Sequence, residues 1–539
     1  MSAMGMAVPG QSTKKTYGLS LSPPQVLNAG AEDAKDKKSG KDKKKKEEVT
    51  IRHGASPRPV PRRGLRAFLE CGLIVGVSQA NYWRRYINWI EDWQFQFNWE
   101  DQTTRLFTGE GWRFDSNAFF TNWGHALAGA VYYNAYRTNY MPWYRAMLYS
   151  ALTSFYWELL VEWREVISIN DNIVTVMAGF PIGETLFQTG SFLQTRKGWL
   201  ARIAGGVFNP LRAVNRWFDR RLDLPAPRFS THRFRIHAGR RSGKNLAGEP
   251  DQQFLELGLS ADLTRVPGFG APGALNEWRS DILSTHLGFN IVVGGDGIEE
   301  YEALARTMPW GWVRQNLNEG PDGEVRGHSL VAGIFTAFEL YSQRPVWEYD
   351  TKNPFFQPWL YDQIPLPTRF TDKYCAAHLF GPRIVWRYHG RGYTLTAAAD
   401  AGLDFAMVNA LALTDYTREN SVEGMKSTLA NYGYYYGLGL STSLELELST
   451  RWGMDVEVWA RTWVQNSIEG MDRFAEYIDD NMNIHDSRSR LGASLGYRIP
   501  GSPLQVRLLV ENVTRRGRMS GISSRQEDSR LSMRICYGF

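Results

Sequence analysis

The chain of 539 residues is long enough for more than one structural unit and a sizeable core. Its formal charge of +6 is modest for that length and much of the lysine lies in one segment, which gives a nucleic-acid partner no support. Aromatic residues make up 13% of it, with 20 Trp and 25 Tyr, while no uninterrupted run of about 20 apolar residues exists to cross a bilayer as a helix.

Residues 1–63 are rich in Pro, Gly, Ser and Lys, and from Lys35 to Glu48 lysines and acids almost exclude apolar side chains. Such a composition buries too little surface to offset its ordering entropy, so a disordered tail is expected there. Lys43 to Lys46 read as a solvated charge run, with contact to anionic lipid or peptidoglycan as the functional alternative. The first residues lack the basic and apolar regions of a secretory signal. An exported protein would need one ahead of the given start, and Ser2 to Ala7 resemble the end of a cleavage region.

Residues 64–222 carry apolar side chains at helical spacing. Leu65 to Tyr82 is interrupted by Arg66, Glu70, Gln79 and Asn81, and reads as a helix but not a membrane span. Helices are also predicted over Trp123–Tyr136, Trp143–Val166 and Ile173–Phe192, the last with a cap at Asn170 or Asp171. Their surfaces are too apolar for a solvated bundle. They should be buried against one another, against lipid or inside a barrel.

Residues 223–539 change to a period of two. Leu438, Leu440, Thr442, Leu444, Leu446 and Leu448 share one face, and Gly437, Gly439, Ser441, Ser443, Glu445 and Glu447 the other. A barrel wall between hydrocarbon and a polar lumen requires this pattern, and its rims carry aromatic girdles. Met454, Val456 and Val458 repeat it, as do Leu491 to Ile499 and Leu531 to Phe539. A soluble sandwich would also alternate, but it would bury Glu445, Glu447, Asp455 and Arg534 at great cost. Thr450–Gly453 and Pro500–Pro503 read as tight turns; Asp415–Ala430, Asn466–Asp486 and Thr514–Glu527 read as long loops, and Glu299–Thr371 is ambiguous. Short periplasmic turns and long external loops would put the C-terminus in the periplasm, and roughly 12 strands are expected, since such barrels have an even number.

The fold class is therefore an α+β membrane protein: an apolar helical domain followed by an antiparallel transmembrane β-barrel of the outer membrane of Gram-negative bacteria. The helices are expected to pack at or within the periplasmic mouth as a plug. Outer-membrane lipid is the expected partner, and the strand ending in Phe539, with Tyr537 before it, resembles the signal read by the barrel-assembly machinery.

Asn122, His125, Gly129, Tyr132, Tyr133 and Arg137, then Ser154, Trp157, Glu158 and Glu162, then Ser168, Asn170 and Asp171, then Gly183 and Glu184, and finally Asn209, Pro210, Arg212, Asn215 and Arg216 form a motif series. The series resembles the bacterial domain of unknown function 3943, over about Asn98 to Asp219. It departs from that pattern at Ala126, where proline is expected after the histidine. The resemblance implies an outer-membrane protein with an attached barrel and implies no reaction.

Ser154, Glu158 and Glu162 are four apart and lie along one helix face, as do His125 and Gly129, where the glycine would admit another helix closely. Acids, an imidazole and Asp171 in apolar surroundings must find partners. One reading is a structural network joining Arg137 or Arg216 to Glu158, Glu162 or Glu184, with Asn122, Ser154 and Asn170 nearby. Another is a lipid-modifying hydrolase with His125, Glu158, Glu162 and Asp171 as catalytic candidates. The third is a binding or transport site. The leading function is envelope structure or passage of a small solute or lipid. No zinc signature, cofactor motif or phosphate loop occurs, Gly205 and Gly206 marking only a turn, and the three cysteines, Cys71, Cys375 and Cys536, have no framework spacing. No metal or cofactor is predicted.

Overall fold

The computed structural model describes residues 62–89, 98–114, 118–219, 231–243, 252–280, 282–295, 297–343, 372–420, 427–468 and 482–538. The lysine-rich tail before residue 62 and the terminal Phe539 lie outside them.

Helices come first: α1 (Gly64–Trp89), α2 (Trp99–Phe107), α3 (Phe119–Arg137), α4 (Trp143–Tyr156), α5 (Ile169–Ile173), α6 (Gly179–Gln194), α7 (Trp199–Phe208) and α8 (Pro210–Asp219). A short parallel pair joins β1 (Trp112–Arg113) to β2 (Ile167–Ser168). None of the described helices is long and apolar enough to cross a membrane. The predicted Trp143–Val166 helix stops earlier, running on from α4 through a single π-turn at Trp157–Val161. The buried Arg105 guanidinium ends it, donating to the carbonyls of Glu158, Leu159, Glu162 and Glu165 that a helix terminus leaves open. The predicted Ile173–Phe192 helix begins earlier, because Ser168 and not Asn170 or Asp171 is its cap: the Ser168 hydroxyl accepts from the Asp171 N–H.

Glycine decides how α3 meets α6. A Cβ on Gly129 would stand 1.7 Å from the Thr175 carbonyl oxygen, and one on Gly179 would stand 2.7 Å from the Gly129 backbone. Backbone touches backbone there, as expected for Gly129. Gly129→Val is predicted to force the helices apart and destabilise the helical domain by about 1–3 kcal/mol or more; unchanged resistance of residues 118–219 to limited proteolysis would refute it.

The strands are β3 (Thr231–Gly243), β4 (Gln252–Arg265), β5 (Leu283–Gly294), β6 (Gly297–Glu319), β7 (Val325–Gln343), β8 (Lys373–Gly390), β9 (Tyr393–Asn409), β10 (Tyr434–Thr450), β11 (Met454–Ser467), β12 (His485–Arg498), β13 (Leu504–Met519) and β14 (Ile522–Gly538). Each pairs antiparallel with its neighbours, and β14 closes onto β3 to make a twelve-stranded barrel. The pleat then fixes the faces. Leu440, Leu444, Leu491, Met533 and Ile535 point outward with roughly half their surface or more exposed, whereas Glu445, Asp455 and Arg507 point into the lumen. An apolar belt around a polar interior is the arrangement of a barrel bathed in lipid. Leu444→Lys, in the middle of that belt, is predicted to cost about 2–4 kcal/mol in urea unfolding from liposomes, and no measurable cost would contradict the belt.

Two sequence expectations change here. The segment Thr514–Glu527 is not a long loop: β13 and β14 run through it to a two-residue turn at Ser520 and Gly521, both at positive φ. Its outward residues on β13, Thr514, Arg516 and Arg518, are polar because the hairpin continues past the apolar belt into water, where alternation carries no signal. The ambiguous Glu299–Thr371 segment contains β6 and β7, and both are irregular, with a register shift at Thr307/Trp310 that breaks the period of two.

The helices do not enter the lumen as a plug. Tyr434 and Tyr436 share the outward parity of Leu438, as do the paired Met407, Cys375 and Leu340 on the neighbouring strands. This outer surface packs against Phe119, Ala126, Ala130, Val174, Ala178 and Ile182. At the opposite end of α6, Phe192 and Leu193 pack on Phe234, Ala261 and Leu263 of β3 and β4. The helical layer thus lies along the outside of the wall. Small outward residues, Ala303, Ala305, Cys375 and Ala377, leave room for it.

Candidate functional site

The seam between the helical layer and the wall is polar. The Asn122 side-chain amide donates to the hydroxyls of Tyr434 and Tyr436, tying α3 to β10. Its carbonyl oxygen accepts from Asn170 Nδ2 at 3.2 Å, and Asn170 also donates to Asp171 Oδ1 at 2.9 Å. His125 Nδ1 stands 3.3 Å from the same Asp171 oxygen. Glu158 is buried and accepts the Ser168 backbone N–H at 3.1 Å. Ser154 donates to Asn172 Oδ1 at 3.2 Å. The structure therefore gathers Asn122, His125, Ser154, Glu158, Asn170 and Asp171 into one network that joins α3, α4, α5 and the barrel.

Glu162, at the end of the π-turn, takes the Trp157 indole N–H with its carboxylate at 2.8 Å. Glu184 forms a second, separate centre: fully buried, it takes two hydrogen bonds from Arg137, at 2.8 and 3.1 Å, and others from Tyr133 and Gln188. Burial would depress the Arg137 guanidinium, but the Glu184 charge, Tyr133 and the hydrogen bonds to both together outweigh it and hold Arg137 above its ordinary range. Arg216 donates to the Gln194 carbonyl at 2.9 Å. Ser154 and Ser168 are engaged with Asn172, Asn170 and the Asp171 N–H. Among the described residues no group of three or more His, Cys, Asp or Glu side chains is placed to hold a metal ion.

A different polar centre lies in the lumen, which sequence reading did not resolve. Arg530 of β14 is 3% exposed and binds Glu300 of β6, Glu511 of β13, Asp528 and the Tyr341 hydroxyl. Arg241 adds a two-pronged pair to Glu300, at 2.9 and 3.0 Å. Arg490 reaches Glu302 at 2.7 Å, and β12 and β6 stand third and ninth in the ring of strands, on opposite walls. The lumen is bridged by the chain's own ion pairs. Beside these struts remains a small cavity of about 50 Å³, lined by Arg306, Glu339, His378, Asp400, Arg461, Arg488 and Arg490 among others. The alternation could show that these charges face inward. It could not show which meet, since partners such as Arg530 and Glu300 are 230 residues apart.

Residues 111–211 match the family model described as Domain of unknown function (DUF3943). The DUF3943 match runs from β1 to the start of α8, and so contains Asn122, His125, Glu158, Asp171 and Glu184, the residues of the seam and of the Arg137 centre. No curated protein matches the chain. Among solved structures, the P. putida toluene transporter TodX is 9% identical over 57% of this chain and 88% of its own, with a TM-score of 0.21. OmpT, an outer membrane protein of Vibrio cholerae, is 7% identical over 57% and 99%, with a TM-score of 0.23. The outer membrane channel DcaP of Acinetobacter baumannii is 9% identical over 57% and 96%, with a TM-score of 0.22. The DUF3943 match thus stands ahead of a closed antiparallel barrel whose outward belt of leucines is the arrangement of outer-membrane barrels.

Proposed function

We propose that the barrel is a narrow conduit for small polar solutes, and that the DUF3943 domain is a structural layer clamped to its outer wall. The charge-lined cavity within the lumen carries this reading, because a lumen with polar walls and side-chain struts can admit small polar molecules where backbone would not yield. An open diffusion pore is not expected, since Arg490 and Glu302 bridge opposite walls. Purified protein in planar bilayers should give small unitary conductance, and the paired removal of Arg490 and Glu302 side chains as alanines should raise it. Absence of conductance and of solute-driven liposome swelling, in both forms, would leave the second reading. That reading is an envelope scaffold, which the same struts favour.

The hydrolase reading has no such support. His125 meets Asp171, but the hydroxyls of Ser154 and Ser168 are directed to other partners. His125→Ala and Glu158→Gln are therefore expected to weaken assembly of the helical layer, read as faster proteolysis of residues 118–219, without abolishing a reaction in folded protein.

The setting follows from the surfaces. We assign lipid contact to the outward belt and to the exposed apolar side chains of the helical layer, among them Leu65, Leu69, Leu73, Leu148 and Leu152. The tight turns Gly390–Tyr393 and Thr450–Met454 lie at the barrel end where β3 begins and β14 finishes. Placing that end in the periplasm puts the helical layer's chain entry and the N-terminal tail there, and presents β14 to the assembly machinery. Protease added to intact cells should then cut between β9 and β10 and spare the Thr450–Met454 turn.

A further inference from the structure

We propose that the lumen cavity is a binding site for a small oxyanion, a carboxylate or a phosphate, anchored by Arg488. This guanidinium is 1% exposed on β12, and none of its three nitrogens has a hydrogen-bond partner among the described residues. Its nearest carboxylate oxygen, Asp372 Oδ2, stands 3.4 Å from Nε. The other Asp372 oxygen is taken by Arg515 at 3.2 Å. One face of the guanidinium is covered by the Tyr341 ring, whose centroid is 3.7 Å from Cζ. Stacking uses that face and leaves the N–H donors in the plane of the fork still to be satisfied.

An arginine cannot shed its proton to escape burial, and unmet buried donors are costly, so the fork calls for an acceptor with charge. The neighbouring arginines are not in this condition: Arg490 is held by Glu302 and Glu511, and Arg515 by Asp372 and Asp486. Arg488 lines the cavity together with Arg306, Arg461 and Arg490, against Glu339 and Asp400 as the lining carboxylates. Arg306 pairs with Asp400, Arg461 with Glu445 and Arg490 with Glu302 and Glu511, which leaves Arg488 as the lining arginine whose donors are unmet among the described residues. A planar or tetrahedral oxyanion presents paired oxygens that match a guanidinium fork, which a cation or neutral molecule of that size does not. The site stands on the cavity alone: a barrel that passes nothing could still hold the ion, so this proposal and the conduit fail separately.

Titration calorimetry of the full-length protein in detergent, at fixed ionic strength, tests it with inorganic phosphate, succinate and choline. Saturable binding of phosphate or succinate is expected, none of choline, and about ten-fold or greater weakening in Arg488→Gln, the scale of one lost two-pronged charged contact. Arg488→Lys, which keeps the charge but not the fork, should fall between. Heat-modifiable gel migration confirms that each variant is folded. The proposal is overturned if the wild-type protein shows no saturable anion binding, if choline binds equally, or if folded Arg488→Gln binds as the wild type does. Should Arg488→Gln fail to fold, the wild-type titration and Arg488→Lys decide by the same criteria.

Discussion

Arg530→Met should destabilise the barrel by about 3–5 kcal/mol, the usual consequence of removing one partner from a buried ionic cluster. Arg530 stands among Glu300, Glu511 and Asp528, all buried, and also donates to the Tyr341 hydroxyl. Methionine matches the stem of arginine in bulk but supplies no donor, so three carboxylates lose a shared countercharge while Arg241 and Arg490 compensate only Glu300 and Glu511. Asp528 is left with the largest deficit. Equilibrium urea unfolding from liposomes, followed by tryptophan fluorescence, measures the loss. Adding Asp528→Asn to Arg530→Met should recover part of it, because one stranded charge disappears. A loss below about 1 kcal/mol would mean that water reaches the cluster and that the lumen is open at this level.

Glu184→Ala should have an effect of similar size, confined to the helical domain. The carboxylate is fully buried on α6 and satisfies the two-pronged Arg137 fork, the Tyr133 hydroxyl and the Gln188 amide together. Without it the Arg137 guanidinium, 12% exposed, keeps its charge, the Met141 carbonyl contact and the Phe187 ring, but has no opposing carboxylate. A loss of about 3–5 kcal/mol in the local stability of α3 against α6 is expected. The barrel pairs its own strands and does not depend on this centre. The variant should therefore keep heat-modifiable migration while residues 118–219 become accessible to protease. Simultaneous loss of both would show that the helical layer and the wall fold as one cooperative unit.

The alternation of Leu438 to Leu448 and of Leu531 to Tyr537 exposed the barrel in the sequence, because the outward side chains form an exposed apolar belt and the inward ones face polar groups. Where the outward surface meets something else the signal fades. On β6 to β10 it carries Ala303, Ala305, Cys375, Ala377, Tyr434 and Tyr436, small and aromatic residues suited to a packed helix. That substitution of alanine and tyrosine for leucine at outward parity was the available hint that the helices lie outside the wall, as was the lack of room in a lumen rich in arginine and glutamate. Among the candidate site residues, spacing along one helix put Ser154, Glu158 and Glu162 on one face, whereas in the structure Ser154 bonds Asn172, Glu158 the Ser168 N–H and Glu162 the Trp157 indole. Arg105 and Arg488 gave no sequence signal, since nothing local distinguishes an arginine that meets carbonyls or a cavity from one that meets water.

By itself the sequence determined the order of the two units, the inward or outward direction of most strand side chains and the presence of a glycine where two helices touch. These follow from the pleat of a strand and the pitch of a helix, properties of neighbouring residues. Only the tertiary structure decided that the helices clasp the outer wall, that Asn122 reaches Tyr434 and Tyr436, and that Arg490 spans the lumen to Glu302. Such contacts are set by how a closed ring brings distant strands face to face, and closure is a condition on the whole chain that no local period encodes.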